Sequence, residues 1–126
     1  MIGTTRRVRV HAFAAPVDMR KGFEGLAALV RNDLGADPLS GELFLFANRS
    51  MNRAKVLLWD GTGLCLYCKR LEKGRFACLW REKGRRALEL TTSELQLFLE
   101  GSALVGRMKL SPDAIGEKDL AIAIPT

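Results

Sequence analysis

The chain has 126 residues, 48% apolar and 27% charged, with 20 Lys and Arg against 14 Asp and Glu and a net charge of +6. That composition supports one cored domain, with roughly two-thirds of the unfolded chain's surface buried on folding, and excludes wholesale disorder. No apolar run approaches the ~20 residues of a membrane span, and the stretch after Arg6, Arg7 and Arg9 is too short for a secretory leader. Three cysteines at these spacings make no disulfide framework, so a cytoplasmic protein is expected.

Arg7 to Ala14 alternates around Val8 and Val10 and reads as a strand. Pro16 and Asp18 end it, and Asp18 is placed to cap a helix striped by Phe23, Leu26, Leu29, Val30 and Leu34. Gly35 and Pro38 stop that helix, and Asp37-Pro38-Leu39-Ser40-Gly41 has turn chemistry. Strands follow over Leu43 to Ala47, Arg53 to Trp59 and Leu64 to Leu71, separated by the turn-rich Asn48 to Asn52 and Asp60 to Gly63. A turn at Glu72-Lys73-Gly74 leads into a further strand over Arg75 to Trp80, so this part reads as an antiparallel meander. Thr91 and Glu94 have the spacing of a capping box before a short helix that carries Leu95, Phe98 and Leu99 and ends at Gly101. Past Gly101 the signals weaken, and Leu120 to Ile124 alternates like an isolated strand. The expected fold is α+β: a single domain over residues 1–101, with an antiparallel β-meander packed with an N-terminal helix and a short C-terminal helix. A tail over residues 102–126 either stays mobile or adds an edge strand.

The charge is unevenly placed. Between Arg49 and Arg86 eleven cations face three carboxylates, a local excess of +8, while the rest of the chain sums to −2. Clustered cations attract polyanions and speed their capture, which makes nucleic acid the first partner to consider, against a merely solvated basic face. If Asp60 to Gly63 is a four-residue loop, Trp59 pairs with Leu64, Lys55 with Cys68, and Arg53 with Arg70. Like charges directly opposed destabilise a strand pair, so an anion between Arg53 and Arg70 would relieve them. The alternative is that both long side chains bend apart into water.

Other chemistry is poorly served. Cys65 and Cys68 form a Cys-x-x-Cys, but residues three apart on a strand point to opposite faces, and His11 is the only histidine. A serine or cysteine nucleophile lacks a base, and no carboxylate set is spaced for a catalytic metal. Gly22-Phe23-Glu24-Gly25 matches a GxxG nucleic-acid loop by letters but falls in the helical stripe. No cofactor, metal site or enzymatic activity is expected.

Several blocks in order then become recognisable: Asp18-Met19-Arg20-Lys21-Gly22-Phe23, Asp37-Pro38-Leu39-Ser40-Gly41, Leu43-Phe44-Leu45-Phe46, Asn48-Arg49, Arg53-Ala54-Lys55 and Trp59-Asp60-Gly61. They continue with Lys69-Arg70-Leu71-Glu72-Lys73-Gly74-Arg75-Phe76, Leu90-Thr91, Glu94-Leu95 and Leu99-Glu100-Gly101. Together they resemble the small accessory protein, TnpB, encoded by the second open reading frame of bacterial insertion sequences of family sixty-six. Two departures stand out: Cys78 and Leu79 replace a usual Trp-Pro, and Cys68 stands where an aromatic residue is common. The resemblance implies a non-catalytic role in DNA transposition beside a separate, larger transposase that cleaves and joins strands. Arg20, Lys21, Arg49, Arg53, Lys55, Lys69, Arg70, Lys73 and Arg75 are where the family blocks and the charge argument coincide. They are the expected contacts to DNA backbone, at element ends or target, with Trp59 or Tyr67 as stacking or packing groups. The alternatives are RNA as the polyanion, or a module that docks on the transposase without touching DNA.

Overall fold

The computed structural model describes residues 8–101. Its elements are β1 (Val10–Phe13), α1 (Phe23–Asp33), β2 (Leu43–Ala47), β3 (Arg53–Trp59), β4 (Leu64–Arg70), β5 (Ala87–Leu90) and α2 (Thr92–Leu99). The strands form one sheet in the order β4-β3-β2-β1-β5, giving an α+β fold. The sheet is mixed rather than antiparallel throughout, because β1 and β2 run parallel. The reason is the intervening helix. At roughly 1.5 Å per residue, the 11 residues of α1 carry the chain back so that β2 starts at the same end as β1. The antiparallel meander is confined to β2, β3 and β4.

Alternation along the strands sorts the side chains into two cores. On one face Leu26, Ala27 and Val30 of α1 pack with Phe13, Phe44, Phe46 and Leu57. On the other, Leu95 and Phe98 of α2 join Phe76 and Leu79 over Val10, Ala12, Leu45, Val56, Leu88 and Leu90. The sheet is thus covered on both faces, which accounts for the near-continuous apolar run Leu43-Phe44-Leu45-Phe46 in β2.

Three boundaries differ from the sequence reading. Helix α1 starts at Phe23 with Gly22 as its N-cap, and Asp18 instead closes a turn upstream by accepting the Arg20 amide. Phe23 keeps helical spacing with Leu26 and Val30, yet as the first residue of α1 it stays exposed. Arg75 to Trp80 is not a strand. Its buried residues Phe76 and Leu79 are three apart, a spacing that a strand cannot turn to one face, and the segment plugs the core with Phe76 stacked on Phe98 at 4.8 Å. The strand after it is Ala87–Leu90, four residues that add to β1 and bury Leu88 and Leu90. The alternating Leu120 to Ile124, and the division after residue 101, lie at or outside the limit of the described residues. Among the described residues no helix is long and apolar enough to cross a membrane.

The capping box at α2 is present in full: Thr91 Oγ1 accepts from the Glu94 amide at 3.0 Å, and Glu94 Oε1 accepts from the Thr91 amide at 2.8 Å. Thr91→Ala removes one of these acceptors and is expected to cost about 1 kcal/mol, measured as a lower urea midpoint with an unchanged slope. Gly101 follows in the left-handed region at φ 73°, and an added Cβ would stand 3.3 Å from the Leu71 side chain. This joins the end of α2 to the end of β4 and explains why glycine sits there.

Candidate nucleic-acid interface

The C-terminal ends of β1, β2 and β4 and the N-terminal end of β3 lie at one end of the sheet, as the pairings require. Three connections emerge there: residues 14–22, the turn 48–52 and the loop 71–76. Backbone hydrogen bonds tie them together. Val17 donates to Ala47 O at 2.9 Å, Leu71 donates to Asn52 O at 2.8 Å, and Phe76 donates to Met51 O. Asn48 organises the central turn, its Oδ1 accepting from the amides of both Asn52 and Arg53 at 3.0 Å. Met51 takes φ 58° in this turn, so the backbone there is held against the usual preference of a side-chain-bearing residue.

This convergence gathers cations that are up to 50 positions apart in sequence. One open groove is bordered by Asp18, Arg20, Arg49 and Arg53 with Pro16, Asn48 and Ser50. A second is bordered by Arg53, Lys55, Cys68, Lys69, Arg70 and Glu72. Arg53 and Met19 border both, so the two basic grooves adjoin. The β3–β4 register is the one expected from a four-residue loop, with Trp59 beside Leu64 and Arg53 directly across from Arg70. Among the described residues the side chains of Arg49 and Arg53 have no ion-pairing partner, while Arg70 reaches Glu72 at a loose 3.5 Å.

The remaining candidate residues divide. Lys55 turns inward: its Nζ donates to Met19 O and Lys21 O, both at 2.8 Å, and so ties the 18–22 loop to the sheet. Arg20 forms a bidentate pair with Asp18, whose carboxyl is held down to about 2 chiefly by the hydrogen bond from the Arg20 guanidinium. Lys69 borders the second groove but, lying across from buried Ala54, belongs by alternation to the opposite face of the sheet. Lys21, Lys73 and Arg75 are exposed near the same end but border neither groove. Arg85 and Arg86 border a separate groove with Phe13 and Asp33, where Arg86 Nη1 donates to Asp33 O at 3.0 Å.

Trp59 is half-buried at the far end of β3, away from the grooves. Tyr67 is 48% exposed on β4, the sheet's outer strand, and so is not a core residue. Cys65 and Cys68 face opposite sides of the sheet, across from Leu58 and Lys55 respectively. Asp60 is spent on its turn, accepting from the amides of Thr62 and Gly63 at 2.9 and 2.8 Å, which holds its carboxyl at about 2. Among the described residues no three His, Cys, Asp or Glu side chains stand close enough to hold a metal ion. Sequence reasoning passed over Asp18 as a groove residue and Asn48 as its organiser. Their signal was present, since both belong to the blocks that also carry Arg20 and Arg49.

Residues 8–108 match the family described as IS66 Orf2 like protein. Two uncharacterized proteins of Sinorhizobium fredii (strain NBRC 101917 / NGR234), y4jC and y4hO, are each 39% identical to the chain over 101 residues. That alignment covers 80% of this chain and 85% or 86% of theirs. No solved structure matches it at a significant level. With a family match spanning the whole described sheet and relatives this similar, the chain belongs to the IS66 Orf2-like family.

Proposed function

We propose that this protein is a non-catalytic accessory factor of an insertion sequence that grips DNA backbone with the basic end of its sheet, in support of a separate transposase. Family membership supplies the insertion-sequence context. The observation that carries DNA binding is the pair of adjoining grooves bordered by Arg20, Arg49, Arg53 and Arg70, beside three connections that hydrogen bonds hold together. A cluster of guanidinium groups suits phosphate, because each offers a planar fork of donors and stays charged at any working pH. Contacts of this kind position a protein on a duplex and carry no base information.

The test is binding of the purified, nuclease-treated protein to labelled element-end DNA and to a scrambled duplex of equal length, across a salt series. Similar affinities that fall steeply with salt are expected, with a slope of about −0.9 per phosphate contacted. A clear preference for the ends would transfer base or shape readout to this chain, and absence of binding at low salt would remove DNA from its function.

A second reading rests on a different feature. Strand β4 is an outer strand with Tyr67 half-exposed, a position suited to addition of a strand from the transposase. Co-purification with the transposase that survives nuclease treatment would favour this reading, whereas its loss would indicate bridging by DNA.

A further inference from the structure

Among the described residues bordering the first groove, Asp18 carries the one negative charge, in the company of Arg20, Arg49 and Arg53. Both its oxygens are engaged by Arg20: Nε lies 3.1 Å from Oδ1 and from Oδ2, and Nη2 lies 2.7 Å from Oδ2. This is the forked geometry in which a guanidinium also receives two oxygens of a phosphate. The Arg20 side chain is nevertheless 91% exposed, so an incoming anion can reach it while it is paired. Exposed ion pairs of this kind are weak and are screened by salt, which makes the carboxylate exchangeable.

Asp18 has a second task that can be separated from its charge. Its Oδ1 accepts from the Arg20 amide at 2.9 Å, and its carbonyl accepts from the Lys21 amide at 3.1 Å, which together shape the loop before α1. An asparagine keeps the Oδ1 acceptor and loses the charge.

The geometry points to Asp18 as an internal stand-in for phosphate, holding the Arg20 fork at the groove until a phosphate of the bound polyanion takes its place. This rests on the DNA-binding reading above and deepens it, since Asp18 then sets how readily the site is captured. Asp18 is a positioning residue in the free protein and a competitor during binding. It weakens non-specific capture of nucleic acid by keeping one cation occupied.

The test uses the full chain, a duplex DNA of arbitrary sequence and the variants Asp18→Asn, Arg20→Ala and the double substitution. Asp18→Asn is expected to tighten binding by roughly two- to fivefold, the range in which an exposed ion pair competes. The gain should be largest at low salt, where the competing Asp18–Arg20 pair is least screened. In the Arg20→Ala background the same substitution is expected to have little effect, because the competition acts through Arg20. Weaker binding by Asp18→Asn would overturn the inference and leave Asp18 as an orienting group only. A gain that persists undiminished without Arg20 would overturn it too, by reducing the effect to general charge removal.

A second measurement needs no DNA. Titrating the wild-type protein with inorganic pyrophosphate, followed at the Arg20 Nε–H resonance, should shift that signal as the Asp18 pair opens. A signal that does not respond would refute the exchange. If the wild-type protein binds no duplex at low salt, the proposed function fails, while this titration still decides the exchange.

Discussion

Replacing Arg53 and Arg70 together by alanine is expected to weaken duplex binding about tenfold near physiological salt, equally for every sequence, and to flatten the salt slope by about one. The two residues lie directly across from each other on β3 and β4, where side chains on the same face are separated by roughly 5 Å at Cβ. A pair so close clasps one phosphate rather than two, so each single substitution should already remove most of the effect. The double-mutant cycle should therefore show strong coupling. The same substitution removes a like-charge opposition within the sheet, so the melting temperature is expected to hold or rise slightly. Affinity and stability would thus move in opposite senses, as they do at sites where charge is kept for a ligand rather than for the fold. Unchanged affinity in a folded double variant would show that DNA, if bound, is held elsewhere.

Lys55→Met should act through the fold instead. Lys55 is a member of the basic cluster by sequence, yet its ammonium is committed to the carbonyls of Met19 and Lys21. Methionine preserves the apolar stem and leaves both carbonyls without this donor, at a cost of about 2 kcal/mol for charge-assisted bonds. For a domain of this size that corresponds to a fall in melting temperature of roughly 8–16 °C. Duplex binding should weaken as well, because the 18–22 loop carries Arg20 and loses its tie to β3. Amide exchange in that loop is the direct readout, since the Lys21 amide donates to Asp18 O only while the turn is closed. A variant that melts like the wild type would mean that the ammonium contributes no net stability, and Lys55 would return to the list of groups available to phosphate.

Local signals in the sequence determined much of this molecule. The turn-bounded, strand-like runs Leu43 to Ala47 and Arg53 to Trp59 located β2 and β3 to the residue, and the Asp60 to Gly63 turn set the register that places Arg53 across from Arg70. The capping box at Thr91 and Glu94 likewise marked the start of α2, since its partners are three residues apart. What lay beyond reach was decided by contacts distant in sequence. Strand β5 is four residues long and exists because its amides pair with β1, some 80 positions upstream. The segment Arg75 to Trp80 has strand-like composition but is held as a core plug by Phe98 and by the Met51 carbonyl. Residue types alone also could not separate cations facing solvent from one facing the backbone. Lys55 and Arg53 are two apart on the same strand and face, and their fates differ because the 18–22 loop covers one and stops short of the other. The sequence by itself therefore determined which charges this protein carries and on which strands. The tertiary structure decided which of them share a groove, because only the packing of three separate connections against one sheet end sets those distances.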